Sequence, residues 1–176
     1  MKRLELLKDV VPRLSRVAVF WDPATHELQA KAVEAAARTL GLQVQILRAR
    51  TPEELAPAFE AAAKARAEAL LVLVSPMFLG NRPTFASLAA RHRIPAMYYS
   101  QLWVEGGGLI SYGPAVEEQW RLAAGQIDKI LKGAQPANLP VLQPTRFELS
   151  IIRKAARALG LTIPPALLQR ADHVIE

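Results

Sequence analysis

The chain has 176 residues, 51% of them hydrophobic and 22% charged, with no cysteine and a formal net charge of +6. That apolar mass excludes a disordered chain, and at about 100–200 residues per domain it supports a single core. The lack of cysteine excludes a disulfide scaffold, a zinc–thiolate site, an iron–sulfur cluster and a cysteine nucleophile.

Residues 3–11 read as an amphipathic helix with Leu4, Leu7, Val10 and Val11 on one face. Lys2 and Arg3 begin like a signal peptide, but Glu5, Lys8, Asp9, Pro12 and Arg13 interrupt the apolar region that would follow. No stretch approaches the roughly 18 apolar residues of a membrane-spanning helix. Residues 16–21 form a β-branched and aromatic strand closed by Asp22 and Pro23. A helix over 26–40 stops at Gly41, and a second strand covers 43–47. Thr51 predicts an N-cap, with Pro52 and two acids opening a helix to about Arg66. The apolar run 69–74 has the character of a strand buried on both faces, ended by Ser75 and Pro76. A helix over 83–92 and a strand over 96–99 follow.

Gly106, Gly107 and Gly108 read as a flexible connection to a strand over 109–112, which Gly113 and Pro114 end. The helix predicted over 115–132 carries a wide apolar stripe that includes Val116, Trp120, Ile127, Ile130 and Leu131. Residues 135–140 read as a loop. The segment 145–151 alternates as a strand with Phe147, Leu149 and Ile151 on one face. A helix over 153–159 and a last helical turn over 166–171 complete the chain.

The alternation of strands and helices implies an α/β three-layer sandwich with a mainly parallel sheet and right-handed crossovers. Three segments are expected: an N-terminal helix over 1–15, an α/β lobe over 16–104, and a return strand, long helix and C-terminal segment over 105–176. Ligands in such sheets lie at the carboxyl ends of the strands. Aromatic side chains cluster there: Trp21, Phe78, Tyr98, Tyr99, Trp103 and Tyr112.

Motifs for chemistry are missing. The sequence has no GxSxG elbow, HExxH, P-loop or GxGxxG. His26, His92 and His173 lack metal-ligand spacing, so no metal or cofactor is expected. Asp22 occupies a phosphoacceptor-like position without the acidic pair and lysine of a receiver domain. With Asp22 and Glu105 the only acids near the rim, a convergent acid/base pair and hence an enzyme are not expected. The densest basic patch, Arg91, His92 and Arg93, has no aromatic residues interleaved, which argues against a nucleic-acid partner.

Six segments, 2–23, 69–78, 91–99, 104–114, 129–151 and 158–176, together resemble a known family; GGLISYGP and GLTIPPALLQRAD are the most specific stretches. The chain resembles the second lobe and C-terminal return segments of ABC transporter substrate-binding proteins of the tryptophan-binding kind. The resemblance implies a flavodoxin-like lobe of a type I periplasmic-binding fold, a small organic ligand such as an amino acid, an ABC permease as partner, and binding without catalysis. Carried over by position, the implied ligand residues are Trp21, Asp22, Ser75, Met77, Phe78, Tyr99, Gln101, Ser111, Tyr112 and Gly113. The stretch 100–103 and Ile152 depart from the family pattern.

Full members carry a signal sequence and another lobe upstream. The chain is therefore expected to be part of an exported extracytoplasmic protein or a cytoplasmic relative. The alternative function is a cytoplasmic interaction or regulatory module that has lost ligand transport. In the family the long helix packs on the first lobe. The stripe over 115–132 is thus expected to be covered in a homodimer, with 115–151 open to exchange between chains, or else to fold back onto its own sheet.

Overall fold

The computed structural model describes residues 2–176; residue 1 of the expected N-terminal segment lies outside the described residues. Seven strands form one sheet: β1 (Arg16–Trp21), β2 (Gln43–Arg48), β3 (Ala69–Val72), β4 (Ala96–Tyr98), β5 (Ile110–Pro114), β6 (Phe147–Ile152) and β7 (His173–Ile175), in the order β2-β1-β3-β4-β5-β6-β7. All neighbours are parallel except β5 and β6, which run antiparallel with Tyr112 opposite Leu149 and Pro114 opposite Phe147.

Strand alternation divides the core in two. Val17, Val19 and Trp21 of β1 join Leu71 and Met97 against helix α1 (Lys2–Val10) and helix α2 (Leu28–Thr39). Phe20, Leu70, Val72 and Tyr98 face the opposite side, where α3 (Leu55–Lys64), α4 (Pro76–Gly80), α5 (Arg82–His92) and α6 (Gln101–Glu105) pack. Period-two side chains on a strand buried on both faces require helices on both. On the second face Phe85 lies edge-on to Phe20, Phe78 and Trp103, with ring centroids 5.2, 5.2 and 5.3 Å away. The polar positions Gln43, Gln45 and Arg48 suit β2 to the sheet edge.

Helix α1 buries Leu4, Leu6, Leu7 and Val10 in the first core. The loop before β3 is tied to the start of β1 by Glu68, whose carboxylate accepts from the Ser15 and Arg16 backbone N–H groups at 2.7 and 3.0 Å.

Several local expectations are corrected. Thr51 makes no side-chain cap, and the turn it precedes, Pro52–Glu54, is a 3-10 helix. Two short helices, α4 and α6, occupy stretches to which the sequence assigns no element. Ser75 caps α4 by accepting from Phe78 N–H at 3.2 Å, and Ser100 caps α6 by accepting from Leu102 N–H at 3.4 Å. The three glycines form the turn after α6, and a Cβ on Gly108 would lie 2.6 Å from the Tyr98 ring, so glycine there permits close packing of this turn on β4.

The antiparallel course of β6 has one large consequence. The chain leaves the sheet at the carboxyl end of β5 and returns to that same end. Between them stands α7 (Val116–Leu131), above the rim where the parallel strands finish. Ala115 N–H donates to the Arg146 carbonyl at 3.0 Å, and Glu118 accepts from Thr145 and Arg146 N–H at 3.1 and 2.8 Å, which fixes the base of this excursion. No residue of α7 is buried, so it does not fold back to cover its own sheet. Helices α8 (Arg153–Ala158) and α9 (Pro165–Arg170) place Ala156 and Leu167 in the first core.

Candidate functional site

A groove of about 720 Å³ runs between the sheet rim and α7. That volume falls in the range of small-molecule sites, roughly 300–1,000 Å³. Val74, Tyr99 and Ser100 line it from just beyond β3 and β4, and Tyr112, Gly113 and Pro114 from β5. Leu79 of α4 and Leu102 of α6 add apolar walls, while α7 supplies Val116, Gln119, Trp120 and Ala123. Phe147 of β6 and the first turn of α1, with Lys2 and Arg3, complete it.

Two aromatic rings form a platform. Tyr112 and Phe147 stack with centroids 5.7 Å apart at 21°. Diagonal neighbours across an antiparallel pair are within reach of aromatic side chains, and these two sit diagonally in the β5–β6 register. Trp120 also borders the groove and is 72% exposed.

Tyr99 donates its hydroxyl to the Ser75 carbonyl at 3.2 Å. Burial pushes its phenol pKa up, so it remains a protonated donor at neutral pH. Arg3 is the unusual member: its Nη1 is sealed from solvent and has no hydrogen-bond partner. Burial pulls the guanidinium pKa down and nearby Tyr99 acts the other way, but an arginine keeps its charge in proteins.

Of the ten residues implied by the sequence, the structure brings Tyr99, Tyr112 and Gly113 together in the groove. The others are placed elsewhere. Phe78 is fully buried among Phe20 and Phe85, because helix α4 turns its ring into the second core. Trp21 is buried in the first core with the Arg48 guanidinium 5.6 Å over its ring. Asp22 is buried and serves the turn after β1: it accepts from Ser75 Oγ at 2.6 Å and from Ala24 N–H at 2.9 Å. Ser75 is buried in that bond and in its cap of α4. Ser111 pairs opposite Ser150 in the β5–β6 register, both hydroxyls buried without partners, and does not line the groove. Met77 is half-buried against the second core, and Gln101 opens α6 without lining the groove.

The sequence reading missed Arg3, Trp120 and Phe147 as groove residues. The signals were present. Trp120 lay on the apolar stripe, Phe147 on the strand returning beside Tyr112, and Arg3 within a helix otherwise committed to the core. Among the described residues no group of three or more His, Asp or Glu side chains could hold a metal ion. No helix among them is long and apolar enough to cross a membrane.

The family model described as ABC transporter substrate binding protein matches residues 1–175. A search of curated proteins returns no match. Among solved structures, a conserved domain protein from Vibrio cholerae is similar over 98% of this chain and 59% of its own, with 23% identity and a TM-score of 0.91. An ABC domain in complex with L-Trp from Streptococcus pneumoniae is similar over 99% of this chain and 59% of its own, with 26% identity and a TM-score of 0.90. A ligand-free, open substrate binding protein with adhesive properties from Clostridium difficile is similar over 99% and 59%, with 21% identity and a TM-score of 0.72. The chain thus spans 59% of the length of each of these three structures. The Vibrio and Clostridium likenesses establish a shared fold.

Proposed function

Since the chain belongs to the ABC transporter substrate-binding protein family, we propose that it is a solute-binding part of an ABC-type importer. It holds a small organic solute of amino-acid size, without turnover, outside the cytoplasmic membrane, and it delivers that solute to a permease. The observation that carries this reading is the stacked Tyr112–Phe147 platform in an apolar groove at the carboxyl rim of the sheet. Aromatic faces bury a flat or apolar body, while Tyr99, Ser100 and Gln119 offer hydrogen bonds at its edge. The L-Trp complex of the Streptococcus structure makes L-tryptophan the first probe.

A thermal-shift screen with amino acids and related organic acids tests the reading. The expected result is a saturable rise in Tm that Trp120→Ala reduces, since Trp120 borders the groove but is exposed enough to be removed without unfolding the lobe. The groove is open to solvent along one side and leaves part of the ligand wet, so the expected Kd is on the order of micromolar or weaker. No stabilisation by any member of the panel would count against it.

A second reading, an interaction module, is favoured by one observation: Trp120, Ile127 and Leu131 of α7 are 72%, 56% and 82% exposed. Exposed apolar faces mark interfaces. The occupant proposed for this face is a second copy of the chain.

A further inference from the structure

Among the described residues three other than glycine take a left-handed backbone, and all three are arginines: Arg13, Arg66 and Arg93, with φ of 60°, 54° and 56°. Each lies in a turn that leads from a helix into a parallel strand: Arg13 before β1, Arg66 before β3 and Arg93 before β4. Helices α3 and α5 close with the same hydrogen bonds as α2, where Gly41 holds the equivalent place. Arg66 N–H donates to the Ala63 carbonyl at 2.9 Å and Arg93 N–H to Ala90 at 3.1 Å, as Gly41 N–H donates to Arg38 at 3.2 Å. Glycine adopts this conformation freely, whereas a residue with a Cβ is strained in it. The helix dipole does not require the strain. Lys64 already stands in the last turn of α3 and Arg91 in that of α5, where a cation meets the dipole from an ordinary helical position.

Strands β1 to β4 run parallel, so these turns lie together at one end of the sheet, opposite the rim that carries the groove. The four segments that enter the strands, 8–16, 38–43, 64–69 and 91–96, hold eight lysines and arginines against two acids, a net +6 equal to the charge of the whole chain. One of the two acids, Glu68, is paired with Arg16 at 2.7 Å. Arg13, Arg38, Lys64, Arg66, Arg91 and Arg93 are exposed and form no ion pair among the described residues. None of the large apolar side chains exposed elsewhere on the molecule lies in these segments, and they contain no Phe, Tyr or Trp.

We infer that this end of the lobe is a docking surface for an anionic lipid bilayer. A protein interface is built round an apolar core, and single-stranded nucleic acid is held on aromatic faces; this end offers neither. The headgroups of an acidic membrane present a broad array of phosphates that unpaired cations engage without a pocket. Because β1, β3 and β4 are neighbours in the sheet, strand spacing of about 4.8 Å sets the three strained turns in a row across that contact. The groove stays at the far end, open to its solute, and the inference does not depend on what the groove binds.

Cosedimentation of the full chain with vesicles tests it, comparing phosphatidylcholine alone with an equal mixture of phosphatidylcholine and phosphatidylglycerol at physiological ionic strength. The expected result is binding to the mixed vesicles only. Combining Arg13→Gly, Arg66→Gly and Arg93→Gly removes three charges and relieves the backbone, so Tm should hold or rise. Vesicle affinity should fall about fivefold per arginine, roughly a hundredfold for the three. Asparagine at the same three positions, which tolerates the left-handed region, should give the same loss. The control removes as many cations from the other end, with Arg121, Lys129 and Lys132 changed to glutamine, and should keep most of the affinity. Absence of wild-type binding to the mixed vesicles would overturn the inference. So would equal losses in the two triple variants, which would leave net charge alone at work. A glycine variant that keeps its vesicle affinity but loses Tm would assign the arginines to the helix ends. Binding to poly-L-glutamate as tight as to the vesicles, at equal charge concentration, would give this end to an acidic protein instead.

Discussion

Gly113 passes so close to Tyr99 that a Cβ built on it would lie 1.7 Å from the Tyr99 carbonyl oxygen. The approach sits where β4 ends beside β5, and both residues line the groove. Gly113→Ala must push the two strands apart. The expected loss is about 3 kcal/mol or more, at the upper end of overpacking effects, together with loss of ligand binding. Gly125→Ala is the control: nothing lies within 4 Å of its Cβ position on exposed α7, so a gain of up to about 1 kcal/mol is expected. Urea unfolding of both variants measures the contrast. Equal stabilities would show that the rim tolerates the extra methyl group.

The rim was legible in the sequence to the extent that periodicity dictates it. The β1 boundaries, Arg16 to Trp21, match the sequence reading because a β-branched run meets an Asp-Pro turn. The apolar stripe on α7 was legible too, as was its lack of cover. What remained hidden depends on tertiary placement. Phe78 and Tyr99 look alike at strand ends, but a five-residue helix capped by Ser75 rotates the first into the core. The Ser-Pro pair that ended the strand was also the cap and first residue of that helix, a signal open to a second reading. Strand β7 has three residues and owes its existence to pairing with β6, which no local pattern announces.

Glu68 sets an acid limit on the fold. Hydrogen bonds hold its carboxyl pKa below the ordinary 4.5, chiefly one from the Ser15 backbone N–H. A depressed folded pKa contributes stability that is complete above about 4.5 and is lost as pH falls through the lower folded value. The Arg16 guanidinium, 2.7 Å away, is partly solvated and adds little. Glu68→Gln should therefore cost about 1–2 kcal/mol at pH 7. The difference from wild type should shrink as the pH is lowered past 4, read from Tm against pH. A pH-independent difference would assign the effect to packing.

The stripe on α7 predicts self-association. Trp120 and Leu131 are exposed on the isolated chain, and burying a large apolar side chain is worth about 1.5–3 kcal/mol. Sedimentation equilibrium at micromolar concentration should show a homodimer, and Leu131→Asp should shift it to monomer with an unchanged circular dichroism spectrum, since Leu131 is 82% exposed on the single chain. A wild-type monomer of 19.3 kDa under those conditions would rule the dimer out.

The central claim is that the groove between the sheet rim and α7 holds the solute, and its most direct test is to locate a ligand on the chain. Backbone amide shifts of the ¹⁵N-labelled protein titrated with L-tryptophan report that location residue by residue. Saturable shifts are expected centred on Tyr99, Tyr112, Gly113 and Trp120, with none at the Phe78 amide beyond those of its core neighbours. Saturable shifts centred elsewhere, with the groove residues unmoved, would contradict it.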